Sequence, residues 1–503
     1  MKKIAFLMLF LGGFSGLQAQ DMSDAFRFSS EQLNGTARYV SMSGAFGALG
    51  GDISAIKDNP AGSAVFLTNF ASLSLDLDAY KNKTDFADGL DSYNNSNTDL
   101  SQAGIVFVFN NANESASVSR LSFGVSYNRA KSLKNRFSAT GQNNNSVSDM
   151  FLDYAQGVPL DLFTPHSDED LESLYSYLGS ANLPFNNNHL QTAYLGYETF
   201  LFDPVDPDDI EGNEAYYSNV SGDHFDQNYQ YLGRGAKSKL TFNGGLAIND
   251  NLYFGLNLNS HFIDYRRTTV FNENIPAPSD IREINFINDL DTKGTGFSFQ
   301  VGGIARLGKT FRAGVSYESP TWFTISDQTT QFLRTDGPEY GEVIADPRVT
   351  NVYPDYHFHT PGKISGSLAA VFGDSGMISV DYSYQDFSNN KFTSSGFGDL
   401  NRRIGDAMQA VSTVRVGGEY RIEHFSLRAG YRYQGSAYKD ETIGDLQGYS
   451  AGLGYNFGNV KLDFAYAFAK RDSERHLLNT ELTKRVGLKN ELSQYVLTLA
   501  FAL

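Results

Sequence analysis

Cysteine is absent from all 503 residues. Its absence excludes a disulfide framework, a thiolate metal site and a lipidated N-terminal cysteine, so stability has to come from backbone pairing and packing. Long apolar runs are missing as well. No segment offers the roughly 18 consecutive apolar residues that a helix needs to cross a bilayer. Basic residues are outnumbered, 40 Lys and Arg against 57 Asp and Glu, and a net charge of −17 argues against nucleic acid as a partner. There is no Gly-x-Ser-x-Gly elbow, His-Glu-x-x-His pair or phosphate loop, and the 8 histidines are scattered. Nothing local marks catalysis, and the expectation is a protein that is not an enzyme and carries no cofactor. No linker or low-complexity tract divides the chain, which reads as one closed unit.

What the chain has in quantity is aromatic rings, 14% of residues as 39 Phe and 29 Tyr with a single Trp, in a sequence whose mean hydropathy is −0.34. Residues 1–19 carry Lys2 and Lys3, the apolar run Ile4 to Leu11, and Leu17-Gln18-Ala19 before Gln20. This is the pattern of a secretory signal peptide. Exported, acidic, polar overall and aromatic-rich is the composition of an outer-membrane β-barrel, whose strands show lipid one face and water the other.

Alternation supports that fold class. Phe254, Leu256 and Leu258 share one phase against Tyr253, Gly255, Asn257 and Asn259; Phe311, Ala313, Val315 and Tyr317 oppose Arg312, Gly314, Ser316 and Glu318. Similar runs recur at Ile378 to Tyr384, Phe425 to Arg432 and Val460 to Phe468. Tight connections at Asn249 to Asn251, Gly308-Lys309, Gly373 to Gly376, Glu423-His424 and Gly458-Asn459, with a longer one from Asn110 to Ser117, place the periplasmic turns. The strands predicted are 70–80, 100–109, 119–129, 236–248, 252–271, 284–307, 310–324, 360–372, 377–388, 410–422, 425–434, 446–457, 460–469 and 492–503. They form a transmembrane antiparallel barrel of about fourteen strands with both ends in the periplasm. The last carries Tyr495, Leu497, Leu499, Phe501 and Leu503 on one face, toward outer-membrane lipids; barrel-assembly machinery commonly reads a terminal aromatic residue, and this strand departs mildly, with Leu503 last and Phe501 two residues earlier. Alternation also turns Arg312, Glu318, Arg415, Glu419, Arg428 and Arg432 into the lumen, since an Arg facing mid-bilayer lipid costs about 2–4 kcal/mol.

Ahead of this wall lies a stretch of another kind. Residues 20–66 form a predicted plug within which Gly44, Gly47, Gly50, Gly51, Ala45 and Ala48 let backbone approach backbone. Asp52 is placed to cap a short helix through Ile56, and Pro60 restricts Asn59 to an extended conformation, so the helix stops near Asp58. The motif Asn59-Pro60-Ala61-Gly62 then leads into the barrel, 67–503.

Gly35-x-Ala37-Arg38, Gly44, Ala45, Asp52, Ala55 and Asn59-Pro60-Ala61 together resemble the N-terminal hatch of FadL-type outer-membrane transporters. That family places a small helical hatch with an Asn-Pro-Ala motif before a fourteen-stranded barrel, and imports long-chain fatty acids or other hydrophobic molecules. The resemblance implies passive uptake: a hydrophobic ligand binds near the outer loops, enters the barrel and leaves sideways through a gap at an inward kink of the third strand. Gly124, in that strand, is the candidate for the kink.

The longest interruption of the strand pattern, 131–235, is expected to be an ordered extracellular loop. A capping box at Ser167 to Asp170 opens a helix with Leu171, Leu174, Tyr175 and Leu178 on one face and Gly179 at its end. An earlier helix holds Met150, Phe151 and Tyr154, followed by Leu160, Leu162 and Phe163. These faces meet each other or leave an apolar groove for a ligand. Asp203, Asp206, Asp208, Asp209 and Glu211 lack EF-hand order and read as a solvated acidic loop, with no metal expected. His357 and His359 share a strand face and raise a lesser haem-binding alternative. The main rival to transport is a barrel scaffold that anchors a protein partner of a secretion machine.

Overall fold

The computed structural model describes residues 22–113, 116–166, 169–479 and 484–503. The expected signal peptide at 1–19 lies outside them, as do Ser167 and Asp168. Fourteen antiparallel strands close into a barrel. In chain order they are β1 (Phe70–Phe86), β2 (Gly89–Asn110), β3 (Val118–Ser132), β4 (Phe225–Ile248), β5 (Leu252–Asn274), β6 (Glu283–Leu307), β7 (Phe311–Glu318), β8 (Lys363–Val371), β9 (Gly376–Asp386), β10 (Ala410–Ile422), β11 (Phe425–Gln434), β12 (Leu446–Asn456), β13 (Val460–His476) and β14 (Arg485–Ala502). Each pairs with the one before it, and β14 closes on β1 from Ala502↔Phe70 to Gly487↔Asp85. Closure is what lets a sheet satisfy its backbone in lipid.

Side-chain alternation sets inside from outside. On β5, Leu256 and Leu258 are 45% and 46% exposed while Asn257 and Asn259 are buried. Apolar residues of the outer phase run from phenylalanine at the periplasmic ends, as in Phe311 and Phe425, to tyrosine at the outer ends, as in Tyr317, Tyr431, Tyr449 and Tyr466. Rings at both levels are the interfacial girdles of a membrane barrel. The β4–β5 turn reverses through Asn249 and Asp250, both at positive φ, a geometry that Asn and Asp tolerate.

Expectations about strand bounds give way in several places; β13 and β14 run on to His476 and from Arg485, past the expected 469 and 492, and three differences are larger. β1 and β2 meet in a hairpin at Phe86–Gly89, where a loop from 81 to 99 was expected. The stretch Asp91 to Asp99 is almost wholly polar, so a strand wet on both faces there carries no apolar alternation. The predicted strand 310–324 is two: β7 ends at Glu318 and, after Pro320, a strand Trp322–Asp336 pairs with the outer half of β6. The interruption after β3 is shorter than 131–235, because Asn135–Asn143 continues against β4 and β4 begins at Phe225.

Between Met22 and Val65 the chain fills the lumen with α1 (Met22–Ser29), α2 (Ala37–Ser41) and two 3-10 turns, Ile53–Lys57 and Pro60–Val65. Above the membrane, α3 (Ser148–Ala155), α4 (Leu171–Ser180) and α5 (Asn187–Glu198) pack into a cap, and α6 (Gly398–Ala407) lies against α1. α4 is capped one turn differently from expectation, by Asp170 with Ser173, and Gly179 lies within it, not at its end.

Candidate functional site

The hatch is held by its own caps first. Thr36 caps α2, and its hydroxyl donates 2.8 Å to Asp52, which in turn caps Ile53–Lys57 by accepting from Ser54 N. Asn59 caps Pro60–Val65, its Oδ1 accepting from Ala61 N at 3.1 Å, while its Nδ2 donates to Gly47 O at 2.8 Å and to Gly303 O of β6 at 3.1 Å. The Pro60 carbonyl accepts from Asn243 of β4, and the Asp58 carbonyl from Gln300 of β6 and Ser316 of β7. Asn59, Pro60, Ala61 and Gly62 are all buried inside the barrel.

The wall makes room by omitting side chains. A Cβ at Gly302 would lie 2.2 Å from Asn59 Oδ1, one at Gly255 2.2 Å from the Pro60 carbonyl carbon, one at Gly314 2.4 Å from Gly47 O, and those at Gly417 and Gly430 2.5 Å from Met42. Inward glycines at hatch level are a signal that strand alternation alone passed over.

All six lumen candidates lie on the inner face, and most engage the hatch or its anchors. Arg312 donates to Leu49 O at 2.8 Å, and Arg415 reaches Asp58 at 3.2 Å. Glu419, buried, accepts from Arg38 of α2 at 2.8 Å and from Arg428 at 2.6 Å; Arg428 also holds Asp463. Glu318 sits between Lys239 and Lys363. Arg432 lies opposite Arg415 across β10–β11, and its Nε has no hydrogen-bond partner among the described residues.

The wall has a broken seam. β2 pairs with β3 only from Asn110↔Arg120 to Gln102↔Asn128. Gly124 sits in regular register between Val106 and Asn243, so the kink is not there. The pairing with β4 is irregular at Val118/Arg120, by the periplasmic turn, and at Arg129/Lys131, and the strand breaks again between Ser132 and Asn135. Beyond Asn128 the edge of β3 takes its partners from the hatch: Gln32 N donates to Ala130 O at 2.8 Å, Asn34 Nδ2 to Arg129 O at 3.0 Å, and Ser132 N donates to Gln32 Oε1. Arg129 reaches across to Asp76 (2.5 Å), Asp78 (2.7 Å) and Asp99 (2.6 Å), and Lys134 joins Asp99 at 2.7 Å. Glycine content was the wrong signal for this break; its cause is substitution of one backbone partner by another.

The outer loop does not leave the apolar groove expected of it. Met150, Phe151, Leu160, Phe163, Leu174, Tyr175 and Leu178 are buried in one core with Leu190, Tyr194 and Leu195 of α5 and Phe286 of β6; Tyr154, Leu162 and Leu171 pack on its flank. α5 was missed, although Leu190, Ala193, Tyr194 and Tyr197 carry helical spacing and Asn186 caps it. Of the ten groove candidates only Met150 and Tyr154 line the cavity beside α5, about 490 Å3, whose remaining lining is largely polar.

His357 and His359 lie on a short strand whose buried face is Tyr356 and Phe358; His357 is exposed beside Thr324, and His359 meets Trp322 edge-on. They therefore point away from the lumen. The acidic loop is exposed from Asp206 to Glu211, and Asp203 pairs with Asn219.

Residues 222–502 match the family described as outer membrane protein transport protein (OMPP1/FadL/TodX). Among solved structures, a Pseudomonas aeruginosa FadL homologue superposes with a TM-score of 0.56 at 12% identity, covering 94% of this chain and 99% of that one. The P. putida toluene transporter TodX gives 0.50 at 12%, over 94% and 99%. At such identity the likeness is one of fold. No curated protein sequence matches the chain.

Proposed function

Because the chain belongs to the OMPP1/FadL/TodX family of outer-membrane transport proteins, we propose that it carries hydrophobic small molecules across the outer membrane by diffusion, entering from the side of the outer loops and leaving through the β2–β3 seam. Family membership makes it a transporter and not an enzyme. One observation carries the route: past Asn128, the edge of β3 is bonded to residues 32–34 of the hatch and not to β2. A movement of that short segment, with release of the ion pairs from Arg129 and Lys134 to Asp76, Asp78 and Asp99, opens a gap in the wall without breaking any barrel ladder. Exit down the axis would require pulling Asn59 and Pro60 from four consecutive strands. The substrates fitting this reading are long-chain fatty acids or monoaromatic compounds such as toluene, which is what the name of the P. putida neighbour states for that protein.

Uptake of radiolabelled oleate and toluene by a deletion strain and its complemented parent tests the reading. Loss of uptake on deletion is the expected result. Unchanged uptake across the panel, with a stoichiometric protein partner recovered on the purified barrel, would replace transport by the scaffold role.

A further inference from the structure

The cavity beside α5 and the inner faces of β5, β6 and Trp322–Asp336 measures about 490 Å3. That volume admits either a folded acyl chain or a ring compound, so the lining decides between them.

Its walls carry carboxamides already held by hydrogen bonds to one another or to neighbouring hydroxyls. Gln191 donates to Asn351 at 3.0 Å and Asn351 donates back at 2.9 Å; Gln331 donates to Asn288 at 2.9 Å and to Thr192 at 3.0 Å; the Tyr353 hydroxyl donates to Asn188 at 2.7 Å. A saturated chain laid on these groups strips their water and returns no hydrogen bond. Flat rings line the same space: Tyr154 stacks on His189 with centroids 3.9 Å apart and planes within 5°, beside Tyr229 and Phe286. Among the described residues the lining charge is mostly positive, with Arg267, Arg403 and Arg475 against the carboxylate of Asp289. Arg475 is held by ring faces, 4.7 Å from the Tyr231 centroid and 5.5 Å from that of Phe137, and its buried Nε has no hydrogen-bond partner among the described residues. A guanidinium fixed in the cavity lining and ion-paired to no carboxylate among the described residues is a receptor for an anion.

We propose that this cavity binds a small organic carboxylate whose body is a flat ring bearing hydroxyl groups, a hydroxylated aromatic acid in chemical class, with its carboxylate at Arg475 and its ring oxygens on the carboxamide wall. The transport reading supplies what happens to the ligand afterwards; occupancy of the cavity does not depend on it. Each part of the ligand answers one part of the lining. The carboxylate meets the arginine excess, the ring meets the aromatic wall, and the hydroxyl groups replace the water that the carboxamides lose.

Isothermal titration of the full chain in nanodiscs, with caffeate, caffeic acid methyl ester, octanoate and glucuronate as probes, tests this directly. Caffeate is expected to bind, with the ester and octanoate each roughly tenfold weaker or worse. Arg475→Gln is expected to weaken caffeate by about tenfold while leaving the ester unchanged, a charge-specific split that a merely structural change does not produce. If that variant fails to assemble by heat-modifiable mobility, Arg267→Gln and the wild-type comparison of acid with ester carry the test. Octanoate or glucuronate binding as tightly as caffeate, or equal affinity for acid and ester, overturns the proposal. Uptake by cells is scored separately: caffeate that binds but does not enter defeats the transport reading alone, and long-chain acid uptake without caffeate binding defeats the cavity assignment alone.

Discussion

Asn59→Ala is the sharpest perturbation of the hatch. Its side chain, 1% exposed, caps Pro60–Val65 and ties Gly47 and Gly303 to the same point. Loss of an N-cap costs about 1 kcal/mol, and a buried carbonyl left without a donor about 1–3 kcal/mol. Gly303 lies in the ladder between β5 and β7, so only the Gly47 carbonyl counts in full. The sum is about 2–4 kcal/mol against the seated hatch, and at about 1.4 kcal/mol per decade the unseated population rises about 30- to 700-fold. Amide hydrogen exchange followed by mass spectrometry reads this out, with faster exchange across 53–66, unchanged exchange in β5 and unchanged heat-modifiable mobility. Asn59→Asp keeps the cap acceptor but sets a buried carboxylate oxygen against the Gly47 and Gly303 carbonyls, and is expected to exchange at least as fast as Asn59→Ala. Hatch exchange within about threefold of wild type would refute the reasoning and reduce Asn59-Pro60-Ala61 to a connector.

Gly302→Ala is expected to unseat the hatch in the same way, because its Cβ would lie 2.2 Å from Asn59 Oδ1, whereas Gly244→Ala, with nothing within 4 Å, should match wild type in exchange and uptake. Gln32→Cys with Ala130→Cys, in a chain without native cysteines, staples the hatch to β3; uptake should stop on oxidation and return with reductant, and uptake indifferent to oxidation would rule out the seam. Arg129→Gln leaves Asp76 and Asp78 buried without their cation, at about 3–5 kcal/mol, and should lower the unfolding temperature seen by mobility shift, with Asp78→Asn in the same chain recovering part of the loss.

The wall was legible in the sequence wherever one strand face met lipid, because lipid demands apolar side chains at every second position. Leu256 against Asn257 is fixed by that demand alone. Where a strand stands in water on both sides, as in Asp91 to Asp99, the demand lapses and so did the signal. The hatch motif was legible because Asn59 and Pro60 act locally, through a cap and a fixed φ. The seam was not, because it arises when Gln32 and Asn34 replace β2 beside β3, about a hundred residues away in sequence. Nothing near Arg129 announces that exchange; three inward carboxylates at Asp76, Asp78 and Asp99, in strands otherwise read for apolar periodicity, were the available clue. The apolar helix faces of the outer loop identified a core correctly and a groove wrongly, since periodicity reveals a buried face without revealing what covers it.

A polar inner wall sits uneasily with passage of a hydrophobic compound only if the lumen is an open column of water. Here Arg312, Arg415 and Glu419 engage hatch atoms, so the inward charges at that level fasten a plug in place of lining a channel. The two ends of the hatch are then held by different means. Its C-terminal end is bound by Asn59 and Pro60 to β4, β6 and β7 through buried hydrogen bonds, while residues 32–34 rest on the free edge of β3. Releasing the second breaks the donations from Lys57 and Gln494 to Asn34 but none of the contacts at Asn59, which share no atoms with those at Gln32 and Asn34. On the proposed route, therefore, the hatch need not leave the barrel for the seam to open: the anchor keeps the axis shut against water while the segment at the seam moves, and a ligand leaving sideways meets the membrane and not the periplasm.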